Sequence, residues 1–222
     1  MSEESRSSSV AINTPLNLDS SSFVVVMIGL NRLQACVLCG GQSRRMGRDK
    51  ALLPSADGGV WLTALIARLR SMDLAVVVVT GHRDHQACVR NWDGVTLFQE
   101  PPPWKGPLQA LSHVLPAESG YPLLVLPVDM PCLTADVLRQ LIEAWKRDPF
   151  LAAVADDGRI CQPLLGVYPS GPPFQPSLAE QLKRDDYRWQ NWLKRIPHER
   201  VLLPSGALLN ANAPEDLASF SR

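Results

Sequence analysis

The chain shows no excess of charge of either sign: 22 Lys and Arg stand against 22 Asp and Glu. That balance gives no support for binding a polyanion such as nucleic acid through bulk charge, and any phosphate site must be local. No apolar run approaches the ~20 residues that a membrane-spanning helix requires. The longest apolar run near the start, Phe23–Leu30, has the length of a signal-peptide core. Glu3 and Glu4 offset Arg6 ahead of it, and no small-residue cleavage site follows, so the cytoplasm is the expected compartment. Cysteines are five and scattered, which makes a poor disulfide framework. Cys36 and Cys39 form a C-x-x-C, but they lie in an apolar run that reads as a strand. Residues three apart on a strand point to opposite faces and cannot share a metal, so both are expected to be small buried residues. His82, His85, His113 and His198 have no metal-ligand spacing and read as surface or loop residues.

What is present is enough apolar residue, 45% of the chain, for a sizeable core. Residues 1–31 are rich in Ser and Asn without amphipathic period and are expected to be disordered, with Met27 an alternative start. Residues 32–222 are expected to form one domain. Strands are predicted at Leu33–Cys39, Ala75–Thr80, Val95–Phe98, Leu123–Pro127, Ala152–Ala155, Pro163–Tyr168 and Val201–Leu203. Helices are predicted at Trp61–Met72, Asp84–Asn91, Pro107–Leu115, Thr134–Lys146, Leu178–Lys183, Arg188–Arg195 and Pro214–Phe220, with Thr134 as an N-cap. Apolar strands alternating with helices predict a mostly parallel sheet covered on both faces, a Rossmann-like three-layer α/β/α domain. Ligands bind such sheets beyond the carboxyl ends of the strands.

Two segments stand at such ends. The first, Leu38-Cys39-Gly40-Gly41-Gln42-Ser43-Arg44-Arg45-Met46-Gly47-Arg48-Asp49-Lys50, follows a strand directly. Three glycines let backbone N–H groups close on an anion, and Arg44, Arg45, Arg48 and Lys50 bring four cations to one loop. Together they make a cradle for a polyphosphate. The spacing fits neither G-x-x-x-x-G-K-[ST] nor G-x-G-x-x-G, so neither a P-loop ATPase nor an ordinary dinucleotide dehydrogenase is indicated. The second segment, Val128-Asp129-Met130-Pro131, places one Asp after an apolar strand, with prolines on both sides. Mg²⁺ often takes only one or two carboxylates plus substrate phosphates, and Asp129 suits that role. Thr134 serves better as cap of the next helix.

The run G-G-x-S-x-R-M-G-x-D-K, filled from Gly40 to Lys50, resembles the signature of the molybdenum cofactor guanylyltransferases, within the sugar-nucleotide-type nucleotidyltransferases. Its Gly-Gly and Asp-Lys pairs resemble the guanylyl branch; the cytidylyl branch usually has Ala-Gly and Pro-Lys there. Asp129-Met130-Pro131 is similar to the family's D-x-P, Gly106-Pro107-Leu108 to its G-P-L, and Asn210 to Leu217 to its closing N-x-N-T-P-E-D-L, with Ala213 in place of Thr. The resemblance runs from Leu33 to Phe220 in motif order.

It implies transfer of GMP from GTP to the phosphate of molybdopterin, with pyrophosphate leaving and Mg²⁺ as cofactor. Asp129 would hold the metal, Lys50 neutralise the triphosphate and Arg45 clamp the leaving group, making these three the catalytic candidates. Leu38, Cys39 and Gly40 would lie against guanine, and Gly41 and Ser43 would complete the loop. Asn210 and Asn212 would face the site, although Asn212 equally suits a cap for the last helix. The family often has a nucleotide-contacting Asp a few residues before G-P-L; the nearest acidic residue here is Glu100, followed by three prolines. Gln162-Pro163 stands where His-Pro is frequent beside the acceptor, and Gln162 is given no catalytic role. Implied partners are GTP, molybdopterin, and molybdoenzymes or other cofactor-synthesis proteins, with no nucleic acid and no membrane. Alternatives are cytidylyl transfer to molybdopterin, transfer to a sugar phosphate, a non-catalytic nucleotide-binding regulator, and a molybdopterin-binding chaperone.

Overall fold

The computed structural model describes residues 33–40, 48–119 and 121–211. Seven strands form one sheet in the order β3-β2-β1-β4-β6-β5-β7. They are β1 (Gln34–Leu38), β2 (Ala75–Thr80), β3 (Val95–Gln99), β4 (Leu123–Pro127), β5 (Ala152–Asp156), β6 (Cys161–Tyr168) and β7 (His198–Leu202). Pairs β1–β2, β1–β4, β2–β3 and β5–β7 are parallel. Strand β6 runs antiparallel to both β4 and β5, so the sheet is mostly parallel but mixed. The helices are α1 (Trp61–Ser71), α2 (His85–Val89), α3 (Pro107–Ser112), α4 (Ala135–Arg147), α5 (Phe174–Lys183) and α6 (Trp189–Leu193).

The strands are apolar on both faces because both faces are covered. On one face Ala35, Val37, Val76, Val78, Leu124 and Leu126 pack with Leu62, Ile66 and Leu69 of α1 and Leu138, Leu141 and Trp145 of α4. On the other, Cys36, Leu38, Val77, Val79, Leu123 and Val125 pack with Leu108 and Leu111 of α3, Phe174 of α5 and Trp192 of α6. Three layers result, as the sequence predicts. Cys36 and Cys39 fall on opposite faces, both buried and unpaired. Burial pushes the Cys36 thiol up to about 12, which keeps it an inert thiol. Thr134 caps α4, its hydroxyl accepting from Val137 N–H at 3.2 Å. No helix among the described residues is long and apolar enough to cross a membrane. The tail 1–31, its boundary with the domain and the predicted helix Pro214–Phe220 lie outside the described residues.

One feature of this order positions the site. From β1 the chain steps outward to β2 and β3, then returns to lay β4 on the other side of β1. The loops leaving β1 and β4 therefore separate around a crevice at the carboxyl end of the sheet, where doubly wound folds bind ligands.

Candidate active site

Strand β1 delivers Leu38 and Cys39, both buried, and then the exposed Gly40 to the mouth of this crevice. Gly41, Ser43 and Arg45 lie outside the described residues. At Arg48 the chain is exposed, and Asp49 caps a short 3₁₀ turn, Lys50–Leu52, by accepting from Ala51 N–H at 3.0 Å. Lys50 points across the crevice. Its Nζ donates to Asp129 Oδ2 at 2.8 Å, with the two side chains 15% and 24% exposed. Two residues 79 apart in sequence thus meet between the ends of β1 and β4. Asp129 is held from behind, since its backbone carbonyl accepts from Ala211 N–H at 2.9 Å. Ala211 is fully buried against Leu53 and Trp61, and this seat brings the half-buried Asn210 to the same end of the sheet. Asn212 lies outside the described residues.

Glu100 closes the crevice from β3. Its N–H donates to Thr80 O at 2.7 Å, and its side chain is buried. A methyl group at Gly40 would sit 3.9 Å from Glu100 Oε2, so the carboxyl lies beside the start of the glycine loop. Oε1 has no hydrogen-bond partner among the described residues. Burial raises this carboxyl above the ordinary glutamate range, because the charged form loses water. The three prolines after Glu100 lead to Trp104, whose Nε1 donates back to Glu100 O at 3.1 Å. The indole covers Gly81, where an added methyl would come within 2.7 Å of the ring, and stacks on His82 at 6.3 Å between centroids. Gly106 has φ 117°, a conformation that favours glycine, and Pro107 opens α3 behind it.

The histidines require a correction. His85 is not a surface residue; it is fully buried, with Nε2 2.8 Å from Asp49 Oδ2 and Nδ1 2.8 Å from Thr80 Oγ1. Both ring nitrogens have a polar partner, so burial is tolerated. Burial acts to raise the Asp49 carboxyl, but the bond and charge of His85 and the Ala51 N–H outweigh it and hold the group below its usual range. His113 is exposed, and His82 and His198 are half-buried. No group of three or more His, Cys, Asp or Glu suited to a metal exists among the described residues. His85 could have been suspected from its place just past the carboxyl end of β2, the level of the sheet at which the Asp49 loop lies. Trp104 carried no such signal.

A family model described as the MobA-like NTP transferase domain matches residues 35–200. The chain belongs to the MobA-like NTP transferase family. It is thereby a nucleotidyltransferase. A probable molybdenum cofactor guanylyltransferase of Rhodopirellula baltica is 34% identical to this transferase over 192 residues, 83% of this chain and 90% of that one. A probable molybdenum cofactor guanylyltransferase of Synechococcus elongatus is 32% identical over 188 residues, 82% of this chain and 94% of the other. Among solved structures, molybdopterin-guanine dinucleotide biosynthesis protein A of Archaeoglobus fulgidus superposes with a TM-score of 0.64 at 16% identity, covering 84% of this transferase and 96% of its own chain. At that identity the likeness is one of fold.

Proposed function

We propose that this transferase moves GMP from GTP to the terminal phosphate of molybdopterin, forming the guanine dinucleotide form of the cofactor and pyrophosphate. The observation that carries the reading is the Lys50–Asp129 pair, which sets a cation and a carboxylate together at the β1–β4 crevice. The names of the curated relatives support it as well.

In the reaction an anionic oxygen of the acceptor phosphate forms a bond to the α-phosphorus of GTP. The bond from that phosphorus to the β-phosphate bridging oxygen breaks, and pyrophosphate leaves. The nucleophile is already charged, so no covalent enzyme intermediate is needed, and catalysis is positioning plus charge stabilisation. Lys50 neutralises the triphosphate as a point charge. The amides of Gly40 and Gly41, the Ser43 hydroxyl and the Arg45 guanidinium complete the cradle, with Arg45 on the leaving pyrophosphate. Asn210 and Asn212 orient the nucleotide.

Asp129 fits a magnesium ion held mainly by substrate oxygens. It is a single hard oxygen donor in the crevice, and the described residues offer no three-residue cluster that would cage a metal alone. Bound there, Mg²⁺ supplies Lewis-acid polarisation of the α-phosphate. Lys50 occupies one Asp129 oxygen, and we infer that nucleotide binding draws its ammonium from the carboxylate to the phosphates. The compartment is part of the same proposal: the five cysteines are unpaired, as in reducing cytoplasm.

The test is pyrophosphate release with ATP, GTP, CTP and UTP, with and without molybdopterin. Release that requires both GTP and molybdopterin is expected. Release with CTP alone would move the chain to the cytidylyl reaction, and binding without release would make it a regulator.

The choice of guanine falls to Leu38–Gly40 and Glu100. An unpartnered carboxylate oxygen accepts hydrogen bonds, and guanine offers its N1–H and N2–H₂ on one edge. Glu100→Gln is expected to lower kcat/KM for GTP by about tenfold, the lower part of the range for losing a paired base-edge contact. The same variant is expected to unfold at higher temperature than the parent in mildly alkaline buffer. The raised carboxyl loses stability as pH rises through its folded value, so the gap closes at acid pH, below the ordinary glutamate range. Thermal melts across that range check the sign.

A further inference from the structure

Asp49 and Lys50 are neighbours that point at different partners. Lys50 reaches over the crevice to Asp129, whereas Asp49 turns back to His85. Behind His85 stands Thr80, the last residue of β2. Its Oγ1 meets His85 Nδ1 at 2.8 Å, accepts from His82 N–H at 2.9 Å and lies 3.5 Å from the carbonyl oxygen of Cys39. Cys39 is also tied to β2 by its N–H, which donates to Val79 O at 2.9 Å. One hydroxyl therefore stands behind both ends of the glycine loop: directly at Cys39, where the loop leaves β1, and through His85 at Asp49, where it ends. The turn carrying Lys50 is three residues long and cannot hold itself. An apolar side chain would fill the His85 cavity at less cost in desolvation. What an imidazole adds is an N–H for Asp49 on one side and a hydrogen bond with Thr80 on the other.

We propose that His85 is a positioning residue for the transfer reaction: through the Asp49 carboxylate it fixes the turn that aims Lys50 at the triphosphate. This rests on the reading of Lys50 given above. His85 touches neither substrate nor metal in this account. It acts because Asp49 is simultaneously the cap of the Lys50 turn and the acceptor of the His85 N–H.

The experiment is a double-mutant cycle read as the dissociation constant for GTP with Mg²⁺ by titration calorimetry. Its variants are His85→Asn, His85→Gln and Lys50→Ala, with each His85 change also placed on Lys50→Ala, and a thermal melt confirms that each is folded. Glutamine can carry its amide N–H to Asp49, whereas asparagine reaches only Thr80. His85→Asn is expected to weaken GTP about tenfold in the parent and less than about twofold on Lys50→Ala, the non-additivity of residues in one network. His85→Gln is expected to stay within about threefold of the parent. An equal loss on both backgrounds, or no loss in the parent, would overturn the assignment of His85 and leave Lys50 untouched. Unaltered GTP affinity in Lys50→Ala alone would overturn the role of Lys50 and this proposal with it. Should His85→Asn fail to fold, Asp49→Asn at the partly exposed end of the chain carries the same cycle with the same expectation.

Discussion

Asp129→Ala is expected to lower kcat/KM for pyrophosphate release by about 10²–10³-fold, the loss typical of deleting one preorganised group that faces developing charge. The residue follows a fully buried strand, and its carbonyl is pinned by Ala211, so the backbone at this point stays put when the side chain goes. What disappears is the carboxylate that faces Lys50 and is proposed to hold the metal. The stability cost is expected at about 1–2 kcal/mol, between the limits for exposed and buried ion pairs, because both side chains are largely but not wholly covered. Loss of turnover at a small change in melting temperature separates a chemical role from a structural one. Asp129→Asn, which keeps the shape and an acceptor oxygen for Lys50, is expected to lose turnover to a similar degree, since Mg²⁺ bound mainly by substrate phosphates relies on the charge of one or two carboxylates, which an amide lacks. Turnover near the parental level in either variant would remove the metal from this position.

Lys50→Ala is expected to act first on the nucleotide. A charge-assisted bond from an ammonium to a phosphate oxygen is worth about 1.5–3 kcal/mol, so the dissociation constant for GTP should rise about 10- to 100-fold. Lys50→Arg is not expected to restore it. The turn places a compact charge 2.8 Å from Asp129 in a covered crevice, and a planar guanidinium needs a wider and differently shaped space. An arginine variant with parental affinity would show that any cation suffices and that geometry at this position is unimportant. Titration calorimetry with GTP and Mg²⁺ measures both variants.

The crevice proposed to hold the nucleotide is legible in the sequence for a physical reason. Apolar runs fixed where β1 and β4 end, and loops that leave neighbouring parallel strands at the same end of a sheet must face each other. Lys50 and Asp129 can thus be expected at one crevice from the sequence, and their side chains meet there. Glu100 was legible only through family resemblance; its burial and its approach to Gly40 depend on how β3 lies against β2. His85 was misread because one imidazole has no local pattern, and its partners Asp49 and Thr80 are brought to it by tertiary structure alone.

The direction of β6 was not read either. An apolar strand reports burial on two faces and says nothing of its orientation. Asp157-Gly158 is a hairpin turn signal that lies between β5 and β6, with Gly158 at φ 87°. Pro163 would disqualify a regular strand interior. Here the β5–β6 register jumps from Ala155↔Gln162 to Val154↔Gly166, and Pro163 falls within the irregular stretch. Helix α5 begins at Phe174, ahead of the predicted Leu178, because Pro176 sits in its first turn, where a missing N–H costs nothing. Strand β7 extends back to His198 because it is an edge strand, and the polar His-Glu-Arg run is compatible with an open flank.

The crevice between β1 and β4 is proposed to hold GTP so that its α-phosphorus, and no other, is attacked by the phosphate of molybdopterin. GTP labelled at the α-phosphorus, incubated with the transferase, Mg²⁺ and molybdopterin, tests this directly. The label is expected in a molybdopterin-nucleotide product in one-to-one ratio with unlabelled pyrophosphate. Label recovered in free GMP, or in GDP beside inorganic phosphate, would contradict it.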